Sequence, residues 1–429
     1  MNKNIKLAVA GAVLALSATA ANAGIVIPAG DWTLDVSGNV NYYTSWTKVS
    51  SGSNHTINGG LVNGAGDAVQ GTNNTMGNGL LPNFLSISGS TRQNDLDVTF
   101  LISIQPGTAS NAALRQVAGN NSTTNQNAGG MNNRQAFITF GDKSWGSIKM
   151  GKDLGIFASD AILGDMTLLG VGAGSAGSAG NTSLGRIGAG YIYADWKPQI
   201  AYTSPNFNGL QATVGITKAF DSQVNGSYAD NNENNSSTVN ANVAYEGKAS
   251  YSFAANDVTG KVWVSGLAQH VGTPYTGSSA VNNDPMAYVG DIGANVKAAG
   301  FDLTGYYYNG TGVGTTGQML QGYGRTSGYT WTARDSDGGY VQAIYTLPTK
   351  TRLGVSWGIS NLDLAGDEAS RQPYTKYNVK SNELWTAMVM HPLTKHLTLV
   401  AEYDNLQAEN HRGEKNTANT GSVGAILFF

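Results

Sequence analysis

Trp32-Thr33-Leu34-Asp35-Val36-Ser37-Gly38-Asn39-Val40-Asn41-Tyr42-Tyr43-Thr44-Ser45-Trp46-Thr47 is the stretch on which the fold turns. Trp32, Leu34, Val36, Val40, Tyr42 and Trp46 fall on one set of alternate positions, and Thr33, Asp35, Ser37, Asn39, Asn41, Ser45 and Thr47 on the other. A repeat of two is the signature of a β-strand, whose successive side chains point to opposite faces. Val239 to Phe253 alternates in the same way. Both segments are longer than the usual strand of about five or six residues. A soluble sandwich also alternates, so length and ends decide the setting. Crossing a bilayer takes roughly 9–11 tilted residues with aromatics at both interfaces, and Trp32 and Trp46 bracket the first strand in that manner.

Outward from this strand, short polar or Gly/Pro-bearing turns fall at 92–95, 141–144, 204–208, 254–258, 298–300, 347–350 and 392–395. Long Gly/Asn/Ser/Thr-rich stretches fall between them, near 49–82, 106–132, 153–187, 219–237, 272–284, 309–336, 361–379 and 408–418. Seven turns and eight loops predict sixteen strands with both termini on the short-turn side. Such segregation of connection lengths is that of a transmembrane antiparallel β-barrel with short periplasmic turns and long external loops. Sixteen strands suit a water-filled lumen, whereas eight close around packed side chains. The last strand places Val423, Ala425, Leu427 and Phe429 on one face and must close onto the first, because lipid leaves no backbone group unpaired. A terminal aromatic there reads as an assembly signal.

The ends and the composition agree with export. Lys3 and Lys6, an apolar run over Leu7–Leu16 and Ala21-Asn22-Ala23 read as a signal peptide over residues 1–23, leaving one barrel domain over 24–429. Without those two lysines, 23 basic residues face 28 acidic ones, a net charge of −5. That balance gives no reason to expect nucleic acid as partner. Cysteine is absent, which excludes disulfides and thiolate chemistry. Beyond the leader no run of about 20 apolar residues exists for a membrane helix.

Arg134-Gln135-Ala136-Phe137-Ile138-Thr139-Phe140-Gly141 followed by Trp145-Gly146-Ser147-Ile148-Lys149-Met150-Gly151-Lys152 resembles the fourth-to-fifth strand hairpin of Gram-negative general porins. Ala201-Tyr202-Thr203-Ser204-Pro205-Asn206-Phe207-Asn208-Gly209-Leu210 is similar to a later turn of the same family. The resemblance implies a homotrimeric outer-membrane diffusion channel for small hydrophilic solutes and ions, without catalysis or cofactor. It also implies that the third loop, 153–187, folds into the barrel with acidic residues facing a basic wall. Lys152 stands where the family has a pore-lining arginine, and Asp153, Asp160 and Asp165 lie in the loop. The family's second arginine is replaced by Phe84 and its lysine by Ser88, which thins the basic wall and predicts a weak preference for cations. Strand parity points Lys149, Asp195, Lys197, Glu246, Lys248, Asp291, Lys297, Glu402 and Asp404 inward, where plain solvation of a wet lumen is the alternative role.

Other motifs lack their context. Gly172-Ala173-Gly174-Ser175-Ala176-Gly177 spells a dinucleotide fingerprint, but no strand precedes it and no helix follows to aim N–H groups at a pyrophosphate. Asp221, Gln223, Asn225 and Gly226 open like a calcium loop whose twelfth position is Asn232 instead of a bidentate Glu. The five histidines, 55, 270, 391, 396 and 411, show no zinc-pair spacing, so no metal site is expected. Two rivals to the general pore remain: a solute-specific channel, for sugars for instance, with Tyr191, Tyr193, Tyr306 and Tyr308 as a stacking track, and a barrel whose loops serve adhesion.

Overall fold

The structure, a computed structural model, describes residues 24–62, 72–108, 131–174, 182–220, 243–271, 286–326, 331–371 and 373–429. Its strands are β1 (Ile25–Ala29), β2 (Trp32–Val49), β3 (Thr72–Gly77), β4 (Phe84–Gln93), β5 (Leu96–Pro106), β6 (Met131–Asp142), β7 (Gly146–Leu154), β8 (Trp196–Thr203), β9 (Leu210–Lys218) and β10 (Val243–Ala255). They continue as β11 (Val258–His270), β12 (Met286–Ala298), β13 (Phe301–Thr311), β14 (Tyr323–Arg325), β15 (Trp331–Ala333), β16 (Asp335–Thr346), β17 (Arg352–Leu362), β18 (Val379–Pro392), β19 (Leu397–Asn410) and β20 (Lys415–Phe428). The two α-helices of the described residues are short, α1 (Ser159–Gly164) and α2 (Glu368–Arg371).

All wall pairings are antiparallel, and the sheet closes where β2 meets β20, from Asn39↔Phe428 to Val49↔Ala418. β3 and β4 share one wall position, because β2 pairs with β3 through Tyr43–Lys48 and with β4 through Thr33–Asn39. β14 and β15 form a separate hairpin inside one loop. β1 and β20 likewise share one line along β2, so the closed barrel has sixteen wall positions, as the turn count predicts.

Parity sorts the faces as lipid requires. On β2, Val40, Tyr42 and Trp46 are exposed on the outside, while Asn39, Asn41, Tyr43 and Ser45 are buried on the inside. The inner asparagines also repair the break between β3 and β4. Asn39 Nδ2 donates to the Pro82 carbonyl at 2.9 Å, Asn41 Nδ2 to the Leu81 carbonyl at 2.8 Å, and the Asn41 N–H to Asn83 Oδ1 at 2.6 Å. Without them the kink would leave buried carbonyls unpaired at a cost of about 1–3 kcal/mol each.

All seven turns lie where Gly, Pro, Asn and Asp place them, with Asn94, Asp95, Asn208, Asn256, Ala299 and Lys350 at positive φ. The first loop is shorter than expected, since β3 occupies 72–77. The eighth is not a long loop at all: β19 runs to Asn410 and β20 starts at Lys415. Asn410 makes this tight turn by accepting from the N–H groups of Arg412 at 3.0 Å and Glu414 at 3.1 Å. The polar residues flanking it are ladder partners, Ala408↔Asn416 and Glu409↔Lys415.

The seam joins both ends of the barrel's chain. β1 pairs with Trp32–Val36 of β2 on the edge that β20 uses higher up, so β1 continues the line of the last strand. Gly38 N–H donates to the Phe429 carbonyl at 2.8 Å and Phe429 N–H to the Gly38 carbonyl at 3.0 Å. A Cβ on Gly38 would sit 2.7 Å from the Phe429 ring and 2.3 Å from the Phe84 carbonyl, so glycine is required. Deleting Phe429, or making Gly38→Val, is expected to lower the yield of folded barrel while leaving export intact. Heat-modifiable mobility in electrophoresis of membrane fractions measures this, and a wild-type yield from both variants would remove the seam's role.

Candidate functional site: the loop across the lumen

The third loop leaves β7 at Leu154 and turns inward because β10 offers it a carboxylate. Glu246 Oε2 accepts the N–H groups of Ile156 at 2.7 Å and Phe157 at 2.8 Å, while its Oε1 takes Lys197 Nζ and Thr217 Oγ1. α1 follows, starting after Ala158 in the left-handed region at φ 58°. Tyr340 OH donates to the Ala161 carbonyl at 2.8 Å. Gln342 accepts from Met166 N–H at 2.7 Å and donates to the Gly164 carbonyl at 3.0 Å. Asp165 then accepts from Thr167 N–H at 2.9 Å, which fixes the 3₁₀ turn Met166–Leu169.

A second carboxylate ends the crossing. Glu402 on β19 accepts the N–H groups of Val171 at 2.8 Å and Gly172 at 2.7 Å. β10 and β19 are seven wall positions apart out of sixteen, so the loop is tied to nearly opposite sides of the barrel. On its return, Arg186 donates to the Leu384 carbonyl at 2.9 Å, Gly190 N–H to Ser360 Oγ at 3.0 Å, and Tyr193 N–H to the Thr316 carbonyl at 2.9 Å. Charge-assisted bonds from N–H groups to a carboxylate are about twice as strong as neutral ones. Phe157, Val171, Tyr191, Ile192 and Ala194, all fully buried, pack this loop onto Leu267, Val289, Tyr306, Met388 and Ile426 of the inner wall.

The expected site residues separate into three groups. Asp153, Asp160 and Asp165 all lie inside the barrel, but each is engaged. Asp153 accepts from Gln135 Nε2 at 2.9 Å and from Lys149 Nζ. Asp160 accepts from Lys248 Nζ at 3.0 Å and from Lys261 Nζ. Asp165 accepts from Tyr191 OH at 2.9 Å and lies 3.9 Å from Arg186 Nε. Lys149 and Lys197 point inward, Lys197 being almost fully buried against Glu246.

Lys152 does not. It is paired with Ala136 and Pro198, which share the outward parity of the exposed Ile138, Met150 and Ile200, and its Nζ donates to the Asn133 carbonyl at 2.9 Å. The motif put it on the pore wall; the strand's alternation puts Gly151 and Asp153 there instead. Asp195 is also misplaced by parity, because β8 begins only at Trp196. Asp195 sits in the loop at φ 60°, its carboxylate accepting the Trp196 N–H at 2.7 Å. Ile192 and Ala194, read as lipid-facing, are buried in the loop core.

Phe84 faces inward as expected, packed against the loop cluster. Tyr191 within the loop and Tyr306 and Tyr308 beneath it are at most 5% exposed and offer no face to a passing solute in this conformation, whereas Tyr193 is half-buried against the same cluster. The calcium-like segment at 221–232 lies outside the described residues.

The charge pattern departs from the expected thin basic wall. Burial acts to raise the Asp160 carboxyl, but the ammonium groups of Lys248 and Lys261 outweigh it and hold it below the ordinary carboxylate range. A carboxyl depressed in the folded state stabilises above its unfolded value and loses that contribution only as pH falls through its lower folded value. α1 is therefore expected to stay tied down from neutral pH to about pH 4, the carboxylate reference value. Conductance steps of constant size over that range are the check. Lys261 escaped sequence reading because Trp263 and Leu267, both apolar, share its inner face, which hides the alternation of β11.

The family model described as Gram-negative porin matches residues 8–411. No curated protein matches the sequence. Among solved structures, the outer membrane channel DcaP of Acinetobacter baumannii superposes with a TM-score of 0.65 at 15% identity, covering 94% of this chain and 99% of that one. OmpF of Salmonella typhi, in complex with daunomycin, gives 0.56 at 15% identity, covering 94% and 100%. OmpT of Vibrio cholerae, folded in vitro and in its trimer form, gives 0.51 at 11% identity, covering 93% and 99%. At such identities these likenesses speak for the fold.

Proposed function

Because this chain belongs to the Gram-negative porin family, and is thereby an outer-membrane channel, we propose that it is a passive diffusion pore for small hydrophilic solutes and ions, with residues 153–187 as its constriction and no catalytic step. One observation carries this reading: the third loop is tied across the lumen by Glu246 on one side and Glu402 on the other. A loop held at both walls sets the free cross-section, and fixed charges beside it set the preference among solutes. Burial of Tyr191, Tyr306 and Tyr308, three of the four tyrosines of the expected track, favours this general pore over a stacking track for sugars. The working unit is a homotrimer, as the trimer form of the Vibrio cholerae relative suggests.

Purified protein reconstituted in planar bilayers is expected to give stable steps of ohmic conductance in potassium chloride, in groups of three. It should also swell liposomes in small sugars without saturation. Saturable, solute-blocked current would point to a specific channel, and absence of current to an adhesive or structural barrel.

A further inference from the structure

The inner face of β10, β11, β12 and β17 carries cations at successively lower levels. Lys248 lies mid-strand in β10, Lys261 is the fourth residue of β11, Lys297 the penultimate residue of β12, and Arg352 the first residue of β17. Each of these strand ends borders a short turn, so the row descends from α1 towards the periplasmic rim. Register puts all four inward: Lys248↔Ser265, Ser252↔Lys261, Lys261↔Asn295, Lys297↔Asp302 and Thr346↔Arg352. The lysine side chains keep access to water, at 24%, 34% and 54% from top to bottom.

Two carboxylates face these four cations. Asp160 takes both Lys248 and Lys261, and Asp302 lies 3.0 Å from Lys297. Asp291 and Glu246 belong to the same strands but are buried under the loop and held by Ser265, Tyr306, Lys197 and Thr217. Negative charge gathers on the facing wall instead, with Asp35 on β2 and two carboxylates around Arg92 at the rim. The row, four cations against two carboxylates, thus faces a wall where Asp35, Asp97 and Asp142 outnumber Arg92. A low-dielectric wall focuses the field of such a row into the water beside it.

We propose that this row is a lane for small anions, and that a carboxylate or phosphate group moving along it competes with Asp160 for the Lys248–Lys261 pair. The residues Lys248, Lys261, Lys297 and Arg352 then decide which solutes pass most readily. The chemistry recognised is that of a compact oxyanion, for which two ammonium groups around one carboxylate are a ready exchange site. This inference rests on the diffusion-pore reading, and the two fail differently: absence of any conductance removes the pore, whereas conductance without the charge effects below removes only the lane.

The test uses the full mature barrel in planar bilayers, with inorganic phosphate as probe. Wild-type current in potassium chloride should fall saturably on adding phosphate, most from the periplasmic side. Lys248→Gln with Lys261→Gln should abolish that block and shift the reversal potential in a tenfold salt gradient towards cations. Asp160→Asn, which frees the lysine pair, should bind phosphate several-fold more tightly. Lys297→Gln and Arg352→Gln, at the less packed lower end, should each shift the reversal potential in the same direction and serve even where the double variant does not assemble. Lys143→Gln, in an exposed turn, should change nothing. The lane is overturned when Lys297→Gln and Arg352→Gln leave the reversal potential at the wild-type value, or when Asp160→Asn leaves the phosphate block unchanged or weaker.

Discussion

Glu246→Ala is expected to open the pore and make its current unsteady. The substitution leaves the N–H groups of Ile156 and Phe157 without their acceptor and strands the Lys197 ammonium, which is 3% exposed. Removing one partner of a buried ion pair costs about 3–5 kcal/mol, and each orphaned N–H adds about 1–3 kcal/mol. The segment from Leu154 to Phe157 is thereby loosened from the wall, while α1 beyond it keeps Asp160 on Lys248 and Lys261. Single-channel steps should grow and flicker, and added protease should cut the loop. Glu246→Gln, which keeps an acceptor but loses the charge, should fall between. A Glu246→Ala channel with wild-type step size and quiet current would show that the loop does not set the free cross-section.

The second large effect concerns the outer mouth. Arg334 and Glu368 are both fully buried, with Arg334 Nε 3.0 Å from Glu368 Oε2 and Nη1 donating to the Gln321 carbonyl at 2.8 Å. Glu368 also accepts the Ala365 N–H at 3.0 Å, so the pair clamps the loop carrying β14 and β15 to the loop carrying α2. Arg334→Ala leaves a buried carboxylate unpaired, a loss again of about 3–5 kcal/mol. The thermal transition of the folded band should fall, and residues 312–334 and 363–378 should become sensitive to protease. Arg334→Met paired with Glu368→Leu should recover most of the loss, because two apolar groups need no partner. If Arg334→Ala melts like the wild type, the clamp contributes nothing to the mouth.

The barrel was legible because its rules are local. Alternation fixed the faces of β2 and β10, and Asn, Gly and Pro marked the turns, since few other residues accept positive φ or break a ladder. Errors arose where polar residues are hydrogen-bonded across strands and resemble loop filler, as at 408–418. They also arose where apolar residues serve an inner core. Ile192 and Ala194 continue the parity of β8 by accident, being packed inside the lumen and not against lipid. The tie through Glu246 joins residues about 90 apart in sequence, and no spacing announces it. Lys152 failed for a simpler reason: a motif aligns residues, whereas a one-residue offset in a strand reverses the face.

The split line at the seam bears on how the chain is proofread during assembly. β1 and β20 occupy one line along β2, so the first segment of the barrel cannot complete its pairing until the last has been delivered. Contacts of such sequence separation are the slowest to form. A polypeptide that stops early presents β2 with a vacant edge and has no way to seal itself against lipid, which tolerates no unpaired backbone. Incomplete products are thereby marked by their own geometry, as sheets left open along the edge of β2.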